Sequence, residues 1–103
     1  MDELTNERRK SIEETIHSIS VEELRALGDR LFPQVDHPWR EKFLNFLTEN
    51  SAATFDHAVT HDGVHVIYCR EKDKGIWFTP GSGIGPLQSK GLGILKEIVA
   101  GKS

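Results

Sequence analysis

A single cysteine, Cys69, excludes any disulfide within this 103-residue chain and any metal centre built from cysteines. It also points to a reducing, cytoplasmic setting of bacterial type. Long apolar runs are missing as well. No window approaches the ~20 residues that a membrane-spanning helix requires, and the first residues are acidic rather than signal-like. A basic excess is lacking too: Lys and Arg number 13 against 16 Asp and Glu, for a net charge of −3. That argues against a protein that binds duplex nucleic acid. No paired-carboxylate pattern and no nucleophile with a nearby base is present, so no catalytic residue is assigned and no cofactor is implied.

What is there is ordinary globular composition, with 37% hydrophobic and 28% charged residues. Size predicts one domain, 1–103, folding to roughly 5,800 Å² of surface. Residues 1–18 read as a helical arm with few anchors, Leu4, Ile12 and Ile16. Ser20 and Glu23 then form a capping box before Val21, Leu24, Leu27 and Leu31. A third helix starts at Pro38, capped by Asp36 or His37, buries Trp39, Phe43, Phe46 and Leu47, and ends at Asn50-Ser51.

The side-chain period then changes from 3.6 to 2. Three strands, at about 54–60, 64–71 and 75–79, predict an antiparallel meander. Asp62-Gly63 reads as a two-residue turn, which sets Val59 opposite Val66. Phe55, Val59, Val64, Val66 and Tyr68 then share one face. Ala58, Thr60, His65, Ile67 and Cys69 share the other, with Trp77 beside them. Gly75 is expected to supply the left-handed residue of the second turn. A last helix from Leu87 to Ala100 ends at Gly101, and its Gly91 and Gly93 predict close backbone approach to the sheet. The expected class is α+β, with N-terminal helices, the three-stranded meander and a C-terminal helix packed on the sheet.

Two surfaces carry functional expectations. The glycine-rich loop after the third strand, with Gly81, Ser82, Gly83 and Gly85, is expected to open the last helix. Its amides, with Ser89 and Lys90, would suit a small anionic ligand. It is neither a P-loop nor a dinucleotide fingerprint. The second surface is an apolar face with Ile67, Cys69 and Trp77, joined by the arm residues Leu4, Ile12 and Ile16. If no helix covers that face, it predicts a protein partner or self-association as a homodimer.

The leading expectation is therefore a small interaction or regulatory domain, with an anion-binding domain as the alternative. His57, His61 and His65 are spaced by four. On strands that spacing spans ~13 Å, too far for a shared ion, so no metal site is expected. Arg70, Lys72 and Lys74 alternate with acids and read as a solvated loop.

Overall fold

The computed structural model describes residues 5–34 and 36–102. Four helices and a five-stranded antiparallel sheet follow in the order α1 (Asn6–Thr15), β1 (His17–Ser20), α2 (Val21–Leu31), α3 (Pro38–Glu49), β2 (Thr54–Val59), β3 (His65–Cys69), β4 (Lys74–Thr79), β5 (Gly83–Pro86) and α4 (Ser89–Lys102). The class is α+β, as expected, but the sheet has two more strands than the sequence predicts. Strand order is β1-β2-β3-β4-β5, so β1 and β5 are the edges.

The helix starts form where local chemistry puts them. Ser20 Oγ accepts from Glu23 N–H at 3.1 Å, capping α2, and its hydroxyl donates to Glu23 Oε1 at 3.0 Å, so the Ser20–Glu23 pair meets through the side chains. His37 Nδ1 accepts from Trp39 N–H at 3.1 Å, with Pro38 at the first helical position. Gly28 lets α2 and α3 meet: a Cβ there would lie 2.5 Å from Phe43 Cε2.

The sheet buries both faces. On one, α2 and α3 cover Ile19, Phe55, Ile67, Cys69, Ile76 and Phe78. On the other, α1 and α4 bring Ile12, Leu95, Ile98 and Val99 onto Ala58, Val64, Val66 and Tyr68. The first helix is thus docked, with Ile12 fully buried and Arg8 Nε and Nη2 on Asp62 Oδ2 at 3.1 and 2.9 Å.

Several expectations need correction. The first helix stops at Thr15, because residues 17–20 pair with β2 instead of continuing the helix. The first hairpin turns through three residues, His61, Asp62 and Gly63, with Gly63 at φ +85°. Gly63 N–H donates to Thr60 C=O at 3.0 Å and Thr60 N–H to Val64 C=O at 2.8 Å. Val59 therefore faces His65, one residue out of the expected register, and every β2 side chain changes company. Phe55, His57 and Val59 share a face with His65, Ile67 and Cys69.

In the second hairpin Asp73, not Gly75, takes the left-handed conformation, at φ +50°. Asp73 also accepts from the Tyr68 hydroxyl at 2.8 Å. Gly75 lies inside β4, where a Cβ would meet Leu87 Cδ1 at 2.6 Å and Ile67 O at 2.9 Å. Trp77 pairs with Val66 and lies on the face opposite Ile67 and Cys69. Gly101 falls within α4 rather than ending it, and Gly93 has nothing within 4 Å of a built Cβ.

Candidate binding groove and the histidine row

The glycine-rich segment is a hairpin and an edge strand, not a loop that opens a helix. Ser82 N–H donates to Thr79 C=O at 2.9 Å across Pro80-Gly81, with Gly81 at φ +85°, the positive value a type II turn asks of that position. Leu87 N–H donates to Gly75 C=O at 2.9 Å, so by alternation Trp77/Gly85 and Thr79/Gly83 are hydrogen-bonded pairs. The Gly83 and Gly85 amides are thereby turned into the sheet. Gly85 instead makes room for the Trp77 indole, since a Cβ there would lie 3.1 Å from its Cζ2, while a Cβ on Gly83 would meet the ring at an ordinary 3.7 Å. Ile84 and Pro86 face the open edge, where proline removes a donor that would lack a strand partner. Ser89 and Lys90 begin α4 one strand further on, beside α1.

The expected protein-binding face is covered. Ile67 and Cys69 are fully buried beneath α2 and α3, and Cys69 Sγ–H points to Asn50 C=O at 3.8 Å. Ile12 is core, while Ile16 and Trp77 are half-buried against the α1–α4 cluster. Leu4 lies outside the described residues.

An open trough of about 520 Å³ lies instead between α3 and the β4–β5 edge. Residues 42, 45, 46 and 49 recur at helical spacing and present one side of α3 to it. Its floor is Phe46, Ile76, Ile84 and Pro86. Lys42, Asn45, Glu49 and Asn50 form one rim, and Lys74 stands on the other. Among the described residues that line it there is no histidine, cysteine, serine, threonine or tyrosine, and its ionisable groups are Lys42, Glu49 and Lys74 on the rim. Sequence spacing does not reveal this trough, because β5 had first to be recognised as a strand.

A second cluster was also missed. His57 and His65 lie eight residues apart along the chain, yet the hairpin folds them onto one face with His57 Nε2 and His65 Nδ1 3.0 Å apart. On the other side, His57 Nδ1 stands 3.4 Å from His17 Nε2 of β1. The expected register puts His65 on the face opposite Val59 and hence His57. The three-residue turn shifts it by one residue and brings both imidazoles onto the same face. The ~13 Å spacing along one strand does not apply across two. Burial first, then repulsion from His65 and His17, pushes His57 down to about 4. Burial also lowers His65, which stacks on Phe78 with centroids 4.9 Å apart. His61 is elsewhere, against Ser11 Oγ at 3.2 Å. Among the described residues no group of three or more His, Cys, Asp or Glu is arranged to hold a metal ion.

The acids and bases of the second hairpin are not all solvated. Arg70 grips the buried Asp56 carboxylate in a bidentate pair, Nε–Oδ2 at 2.8 Å and Nη2–Oδ1 at 3.0 Å. No helix among the described residues is long and apolar enough to cross a membrane. No family model, curated protein or solved structure matches the chain.

Proposed function

We propose that this chain is a small interaction domain without catalytic chemistry. Its docking surface is the trough between α3 and β5, and its partner is a segment of another protein with an apolar side chain flanked by acidic residues. One observation carries the reading: an open trough at a sheet edge where the accessible Ile84 and Pro86 lie over the buried Phe46 and Ile76. Elsewhere the large apolar side chains are spent on the two faces of the sheet. The charge preference follows from the rim, where Lys42 and Lys74 outnumber Glu49. An open trough suits a side chain presented on a backbone better than an enclosed small molecule. The same reading places the protein in a reducing compartment, where the single buried thiol of Cys69 stays free.

Fluorescence anisotropy with a panel of labelled peptides, apolar at the centre and acidic or basic at the flanks, tests this. Acidic-flanked peptides should bind, and Ile84→Glu should weaken them at least about tenfold. Double replacement of Lys42 and Lys74 by Glu should reverse the flank preference. Equal binding of acidic and basic peptides, or indifference to Ile84→Glu, contradicts the reading. A concentration series by light scattering checks whether the occupant is a second copy of the chain.

A further inference from the structure

The three imidazoles of His17, His57 and His65 run in a row across β1, β2 and β3, and one backbone carbonyl sets the state of them all. The carbonyl of Thr15 can only accept, so His17, 3.0 Å away, donates from Nδ1 and leaves Nε2 bare when neutral. That nitrogen must then accept from His57 Nδ1, which leaves His57 Nε2 bare. His57 Nε2 in turn accepts from His65 Nδ1. Every ring is thus held in the Nδ1–H form, the minor tautomer of a free histidine side chain. The one uncommitted ring nitrogen in the row is His65 Nε2.

We propose that this row is a proton-operated latch on the β1 edge: it takes a first proton at His65 Nε2 without losing a contact, and a second proton parts His17 from His57 and loosens β1. The reason is hydrogen bookkeeping. Both inter-ring contacts need one bare nitrogen each. With one added proton, two of the six ring nitrogens remain bare and both contacts survive. With two added, one bare nitrogen remains and one contact must set N–H against N–H.

The contact that gives way is His17–His57. It is the longer, at 3.4 against 3.0 Å, and His17 is exposed and can turn into solvent. Its strand has four residues and a neighbour on one side only. His57 and His65 sit in interior strands beneath the helices.

Among the described residues the neighbouring charges are paired, remote or solvated. Asp56 and Arg70, which border a cavity with His17 at the β1 edge, hold each other. Lys74 lies at the far end of β4 from Phe78, and Glu13 and Glu14 at the end of α1 are exposed. On this face β1, β2 and β3 carry the three histidines among apolar residues, and β4 presents Phe78. From α2 come Leu24, Leu27 and Gly28, while Glu22, Glu23, Arg25, Asp29 and Arg30 are exposed. From α3 come Phe43, Phe46 and Leu47, while Glu41, Lys42 and Glu49 are exposed. Arg40 is taken up by Asp29 and the Phe32 carbonyl. Between these helices His37 is occupied by Trp39 N–H.

The tautomers are read directly, without a variant, by long-range ¹H–¹⁵N correlation of the imidazoles at about pH 7.5. All three should be Nδ1–H, and an Nε2–H form at His57 or His65 overturns the proposal. Hydrogen exchange tests the latch. Between about pH 6 and 4, β1 amides should lose about tenfold more protection than β3 and β4 amides. In His17→Ala, which removes an exposed ring, that extra loss should disappear. Uniform loss over the sheet, or the same β1 loss in the variant, contradicts the latch.

Discussion

At the scale of single residues, the glycines separate into those the fold needs and those it does not. Gly93 has open space where a Cβ would stand and lies within α4, so Gly93→Ala should stabilise the protein by about 0.5–1 kcal/mol in thermal or urea unfolding. Gly28 is the opposite case. Its Cβ would sit 2.5 Å from the fully buried ring of Phe43, so Gly28→Ala should cost about 1–3 kcal/mol. Both positions lie in helices, so propensity alone favours alanine at each. The opposite signs test the packing itself. Arg70 offers a third residue-scale prediction. Its removal would leave the Asp56 carboxylate buried without its cation. Arg70→Ala should therefore lower stability by about 1–3 kcal/mol, discounted because the arginine is half exposed, and Arg70→Lys should recover only part.

At the scale of elements, what was legible in the sequence is what nearest neighbours decide. The capping box at Ser20 and Glu23 and the Pro38 start place α2 and α3 because the donors and acceptors lie within three residues of each other. The two edge strands were not legible, for different reasons. His17-Ser18-Ile19-Ser20 carries little strand preference and is held by pairing with residues 54–57, a partner nearly forty residues away. Gly83-Ile84-Gly85-Pro86 carries the composition of a loop, and it is held as a strand by pairing with residues 76–79, with Gly85 close against Trp77. The trough could not be read before that strand was known. The histidine row was hidden by a turn of three residues where Asp-Gly favours two. That one-residue slip decides which imidazoles meet.

At the scale of the whole molecule, the sheet is covered on both faces, and its acid response belongs to the face that holds the histidines. His57 has a folded value near 4, below its unfolded 6.5. Between those pH values the unfolded chain binds a proton that the folded chain does not, so stability falls as pH falls through that window. His57 alone should contribute a loss of about 2–3 kcal/mol, with His65 adding to it in the same direction. Urea titrations at intervals from about pH 7 to 4 measure this. A flat profile over that range contradicts the buried, neutral placement of His57. His57→Phe should flatten the same profile.

The central claim is that the working surface is the trough beside β5, not the glycine turn and not the covered faces of the sheet. Amide shift mapping of the ¹⁵N-labelled full chain with an acidic-flanked apolar peptide tests this most directly. The account predicts shifts confined to residues 42–50, 74–76 and 84–86, which border the trough. Shifts centred on residues 81–83 and 88–90, or none across the peptide panel, would contradict it.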